Sequence, residues 1–340
     1  MDPSLALLID CCRERLGLIG ADELRARLRG ANGERLAELA RVHDLAGLVW
    51  RSLRQAEVML PGTTAVGREA RAQAEESLRL SAESGRINRQ FAAASIPHLF
   101  LDGPALAMLA WNDSLLAKGL IRLLVGEGAA GKSAALLRTL GYVQEDPDPS
   151  VDTPDWHRRE RRSRWRSDDG LLLDLQTRLA DNRAVLAPVT ATTAPTQLDV
   201  GNGIILPTLP LPLSLQALAV EGCVAAWPKL RLLADLAALV RQLPVATLGQ
   251  IAERAGRLGA ERSLAAGLVL AHRLLGTAVP EDLWFDSGAA QLVRLGTAEL
   301  GKNSPGGSGV ARSRSQALLV PGSRFFLSDL LRQLGSRLTR

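Results

Sequence analysis

Apolar residues return every three or four positions through the first part of the chain. Leu5, Leu8 and Ile9, then Leu24, Leu28, Leu36, Leu39 and Ala40, have the spacing that gathers side chains on one helix face. Gly20, Gly30 and Gly33 separate these helices. Residues 64–93 read as one long helix rich in Ala, Arg, Glu and Gln. Its thin apolar stripe suits a helix lying across another domain.

The pattern changes at Ile96. Ile96–Leu101 predicts a short buried strand closed by Asp102-Gly103-Pro104, and Pro104 starts a helix to about Trp111, because proline suits the first helical turn. Leu120–Val125, a segment starting at Gly141-Tyr142-Val143, Leu171–Leu175 and Ile204–Leu206 are further strands, with a helix over 129–140. Trp156–Arg166 reads as an arginine-rich strand or loop. After the Pro207, Pro210 and Pro212 linker come helices over 213–226, 228–243, 247–257 and 260–275. Residues 300–323 read as a flexible loop and 324–338 as a final short helix. The expected fold class is α+β, a small mixed sheet flanked by N-terminal helices and a C-terminal helical domain. The expected boundaries are 1–93, 94–210 and 211–340, with no internal repeat.

Composition narrows the class. Of 340 residues, 46% are hydrophobic and 23% charged, which excludes a disordered, collagen-like or cysteine-stapled chain. Aromatics are 4%, so Leu, Ala and Val must fill the core. The net charge of +5 permits anionic partners. Only four of 41 basic residues are lysines (Lys118, Lys132, Lys229 and Lys302), a bias that GC-rich codon usage produces. The arginine content therefore makes no case for nucleic acid. Cys11, Cys12 and Cys223 form no CxxC pair, which fits a reducing cytoplasm. The opening MDPSLALLIDCCRERLG lacks a signal-peptide pattern, and no run of 18 apolar residues predicts a membrane span.

An ordered set of short motifs runs from about residue 96 to 280. It comprises Leu101-Asp102-Gly103-Pro104-Ala105-Leu106-Ala107, Leu120-Ile121-Arg122-Leu123-Leu124-Val125, Leu140-Gly141-Tyr142 and Leu173-Asp174-Leu175-Gln176. Trp227-Pro228-Lys229-Leu230, closing on Asp235, follows, then Ile251-Ala252-Glu253-Arg254-Ala255 and Leu274-Leu275-Gly276. Arg41-Val42-His43-Asp44-Leu45 precedes them. In order and spacing the set resembles a bacterial nucleotidyltransferase family of the polymerase-β-like superfamily. The resemblance implies Mg²⁺ and an NTP as cofactor and substrate, and two-metal transfer of a nucleotide to an acceptor hydroxyl.

Magnesium needs hard oxygen ligands, and two Asp at i, i+2 on a strand present them on one face. The family's Asp-x-Asp falls on Leu120 and Arg122 here, its third carboxylate on Asp174. Asp102 stands where the family has Lys, and Gln176 where it has His. The resemblance thus leaves Asp174 as the one catalytic and metal candidate, with impaired or lost transfer expected. A guanidinium at Arg122 can hold phosphate without metal. Gly103, Arg122 and Asp235 are binding candidates, the last because a carboxylate in an apolar helical run needs a partner.

A second phosphate motif competes. Gly126-Glu127-Gly128-Ala129-Ala130-Gly131-Lys132-Ser133 satisfies G-x-x-x-x-G-K-[ST] between an apolar strand and a helix. Gly126, Gly131, Lys132 and Ser133 would then cradle the phosphates of ATP. The bland alternative is an ordinary strand-to-helix turn, and too few strands follow for a P-loop sheet. The arginine-rich 156–166 stretch, Arg166 included, reads either as an anionic-ligand edge or as a solvated edge strand. His43, His98, His157 and His272 lack metal-ligand spacing. Three functions stay open: a divergent transferase retaining nucleotide or phosphorylated-ligand binding, a non-catalytic scaffold for a pathway protein, and an ATP-dependent enzyme.

Overall fold

Five helices come first: α1 (Pro3–Arg15), α2 (Ala21–Arg27), α3 (Gly33–Val42), α4 (Ala46–Gln55) and α5 (Thr63–Ala93). The computed structural model describes residues 2–302 and 309–319. Seven strands follow: β1 (His98–Phe100), β2 (Ile121–Val125), β3 (Tyr142–Asp146), β4 (Arg162–Ser167), β5 (Leu172–Gln176), β6 (Thr196–Asp199) and β7 (Ile205–Thr208). Between them lie α6 (Pro104–Trp111), α7 (Ala130–Thr139) and α8 (Thr153–Arg159). The chain continues through α9 (Leu211–Ala225), α10 (Leu230–Arg241), α11 (Val245–Arg257), α12 (Glu261–Leu275), α13 (Ser287–Leu300) and α14 (Gly309–Leu318). The fold is α+β, a mixed sheet between N-terminal and C-terminal helices.

The sheet order is β3-β4-β5-β2-β1-β7-β6. β2 runs parallel to β5 and antiparallel to β1, while β4 is antiparallel to both β3 and β5. Strand alternation sorts the side chains. Ile121, Leu123, Val125, Trp165, Leu173 and Leu175 join Leu80, Ile87 and Phe91 of α5 and Leu137 of α7 in one core. The opposite face carries Leu99 and Leu124 into a second core shared by the N-terminal and C-terminal helices. It also carries Arg122, Asp174 and Arg164, which are direct neighbours across three strands.

Helix α5 explains its thin apolar stripe. Its buried side includes Gln73, Ser77, Ser81 and Ser84. The Gln73 amide donates to the Leu116 carbonyl at 3.1 Å, and the Ser77 hydroxyl to that of Ala117 at 2.8 Å. The helix therefore fixes the turn that leads into β2.

Three expectations need correction. Trp156–Arg166 is split between α8 and β4, because Asp152 caps and Pro154 opens a helix before the strand. β4 is not an edge, since it lies between β3 and β5. Part of the 300–323 loop is the helix α14, while 303–308, 320–323 and the helix expected over 324–338 lie outside the described residues. Among the described residues no single helix is long and apolar enough to cross a membrane.

Candidate functional site

Two helices begin at one cleft. α6 starts at Gly103, whose φ of +66° suits a residue without Cβ, and α10 starts at Lys229. Neither start carries a side-chain cap. The cleft between them holds about 210 Å³ and is walled by Leu106, Leu120 and Leu232 among its apolar residues. Its charged lining is Lys118, Arg122, Lys229 and Arg231 against Asp44, Asp102 and Asp235.

Each charged group is set by a different segment. Asp44 sits in the turn between α3 and α4 with a left-handed φ of +59°, a conformation Asp adopts more readily than most residues. It receives Lys118 at 2.9 Å and also pairs with Lys229. Burial opposes its ionisation, but the two ammonium groups hold its carboxyl below the usual range. Next to it, the His43 Nδ1 accepts from the Leu230 amide at 3.2 Å, which fastens the start of α10. Asp235 takes Arg231 Nε at 2.8 Å on both oxygens and the Trp111 indole at 2.6 Å. Arg231 also donates to the Leu116 carbonyl at 2.7 Å. These bonds supply the partners that a buried Asp in an apolar helix demands.

Arg122 leads from the cleft into a lattice of ions. Its guanidinium lies 3.5 Å from Asp102 and 3.6 Å from Glu221 of α9, and its Nε is buried without a partner. Glu221 also meets Arg161 at 3.3 Å and Arg162 at 3.4 Å. Asp174, fully buried, is held by Arg162 at 3.1 Å and by Arg164 Nε at 3.0 Å. Burial raises the Glu221 carboxyl, yet Arg122, Arg161 and Arg162 together hold it well below the ordinary range. Asp102 goes the other way: burial lifts its pKa, and Arg122 offsets that only in part.

The expected site residues separate into distinct places. Gly103, Arg122 and Asp235 meet at the cleft. Asp174 lies beside Arg122 in register but turns its oxygens to β4. Gly126, Gly131, Lys132 and Ser133 lie beyond the other end of β2, about 13 Å away at strand rise. Lys132 donates to the Ala94 carbonyl at 2.5 Å, Ser133 is fully buried with no partner, and a short 3₁₀ turn leads straight into α7. Arg166 lies further along β4 and pairs with Glu145. Asp44, Lys118, Glu221, Lys229 and Arg231 were not expected. The sequence hints were lysine scarcity, since two of four lysines line this cleft, and the motifs that hold Asp44 and Lys229.

A magnesium pair does not fit these residues. Leu120 offers no ligand, Arg122 brings a cation, and both Asp174 oxygens are occupied by arginines. Two carboxylates do converge near Arg122, but the guanidinium stands between them. Among the described residues no group of three His, Cys, Asp or Glu is placed to hold a metal.

The mixed sheet, the Gly103 turn into α6 and the neighbouring β2 and β5 positions define a nucleotidyltransferase-like protein. The chain belongs to the family described as uncharacterised nucleotidyltransferase, which matches residues 29–276. A comparison with curated proteins finds no match.

Proposed function

We propose that this protein binds a phosphorylated ligand, a nucleotide or a phosphorylated small molecule, without metal, and that two-metal nucleotidyl transfer has been lost. In this reading it is a pseudoenzyme of its family. The observation that supports the loss is Arg122, a half-buried guanidinium compensated by Asp102 and Glu221, which the resemblance sets on the second Asp of the metal-binding pair. It supplies the positive charge that Mg²⁺ supplies elsewhere. Binding is supported by the uncapped start of α6 at a cleft that four cationic side chains line against three carboxylates. The ATP-dependent alternative draws no support from Lys132 or Ser133 as they stand.

Calorimetry with ATP, CTP, GTP, UTP, AMP and inorganic phosphate, with and without Mg²⁺, tests this reading beside a pyrophosphate-release assay. The expected result is binding of a phosphate compound that Mg²⁺ does not strengthen, and no pyrophosphate release. Mg²⁺-dependent NTP binding with pyrophosphate release overturns it. Absence of binding by any of these compounds overturns the ligand half and leaves a non-catalytic scaffold.

A further inference from the structure

The charged lining of the cleft is unevenly committed. Arg231 is consumed by both oxygens of Asp235 and by the Leu116 carbonyl. Arg122 is shared between Asp102 and Glu221. Lys118 and Lys229 differ, because both rest on the single carboxylate of Asp44. An ammonium has three donors, so each lysine keeps capacity toward the cleft. Their side chains are 24% and 36% exposed, and both line it.

We propose that Lys118 and Lys229, bridged by Asp44, form the subsite for a phosphate monoester, so that the ligand is a small singly phosphorylated molecule rather than a nucleoside triphosphate. This rests on the metal-free binding proposed above and deepens it. Lys118 and Lys229 against Asp44 leave one net positive charge at this end of the cleft, while Arg122 and Arg231 are taken up by Asp102, Glu221 and Asp235. The starts of α6 and α10 each add about half a charge, which brings the total to about +2. A phosphate monoester carries about −1.5 to −2 at neutral pH, so it is matched. A triphosphate carries more charge and ordinarily brings Mg²⁺ to offset it. The residues here provide no place for that ion.

The start of α6 also offers donors. Pro104 has no amide hydrogen, and by helix geometry Ala105 and Leu106 have no intrahelical acceptor for theirs. Size points the same way, since a cleft of about 210 Å³ is small beside the pockets of roughly 300–1,000 Å³ that take larger ligands.

The test is calorimetry on the full chain with glycerol 3-phosphate, inorganic phosphate, and ATP with Mg²⁺ or with EDTA. Glycerol 3-phosphate is expected to bind more tightly than ATP, with no response to EDTA. Lys118→Met and Lys229→Met should each weaken it at least tenfold. Asp44→Asn frees both lysines and should strengthen it several-fold, and Asn tolerates the left-handed backbone there. A purely structural Lys–Asp–Lys clamp would not give that gain. Phosphate binding indifferent to both lysine substitutions overturns the subsite while leaving metal-free binding intact. Tighter binding of ATP than of glycerol 3-phosphate also overturns it. If none of the three compounds binds, the broader reading falls as well.

Discussion

Arg122 of β2 and Asp174 of β5 stand opposite each other in register, yet each pairs with other residues. The arginine goes to Asp102 and Glu221, and the aspartate to Arg162 and Arg164. Opposite charges on neighbouring strands thus form a continuous lattice.

Removing one member should expose the cost of burying the rest. Arg122→Met leaves Glu221 and Asp102 without their shared cation. Side chains at 17% and 18% exposure are well shielded, so the loss should reach about 3–5 kcal/mol. The double variant Arg122→Met, Asp102→Asn should recover part of it, because Asp102 is the carboxylate that loses its cation while Glu221 keeps Arg161 and Arg162. Chemical denaturation of the single and double variants measures both.

Asp174→Asn should destabilise less, by about 2 kcal/mol, because Arg164 is 42% exposed and can return to water. Since both Asp174 oxygens already serve arginines, millimolar Mg²⁺ should leave the melting temperature of the unaltered protein unchanged. A rise on adding Mg²⁺ would contradict that assignment.

Lys132→Ala should leave ATP affinity unchanged. The Lys132 ammonium reaches the Ala94 carbonyl at the end of α5, and losing one exposed hydrogen bond should cost about 1 kcal/mol or less. Parallel calorimetry and thermal melts of the variant decide it.

Acid should weaken the fold through His157. His157 is fully buried, with Nε2 2.9 Å from the Ser163 hydroxyl, and burial favours its neutral ring. Burial depresses its pKa from 6.5 to about 4. The unfolded chain therefore binds the proton more readily. This contribution is complete above pH 6.5 and is lost as pH falls toward 4, up to about 3 kcal/mol. Burial lowers His43 and His98 as well, in the same sense. Unfolding free energies across that range should fall steeply, and His157→Gln should flatten the slope.

Much of the architecture was legible where local chemistry is strong. Pro104 after Gly103 set the start of α6, and the apolar runs gave β2 and β5 to within a residue. β6 escaped notice because Thr196-Gln197-Leu198-Asp199 is a half-exposed edge strand with no apolar face to display. α13, with Gly288 and Gly296 inside it, was not expected at all. Gly296 is a contact point, where an added Cβ would come within 2.9 Å of Trp227 and Leu270. In the site, Arg122, Gly103 and Asp235 were named from the sequence, and all three line the cleft. Glu221 and the Lys118–Asp44–Lys229 group were not, because residues up to 185 positions apart meet only after the chain has folded.

Helix α5 is about 46 Å long at normal helical rise, and its two ends belong to different interiors. Val66 is buried with the helical layers, while Ile87 and Phe91 are buried beneath the sheet. Such a strut leaves neither half free to melt by itself, since fraying one end withdraws a wall from the other. Heating should therefore give a single calorimetric transition, and a truncation within this rod should unfold both halves together.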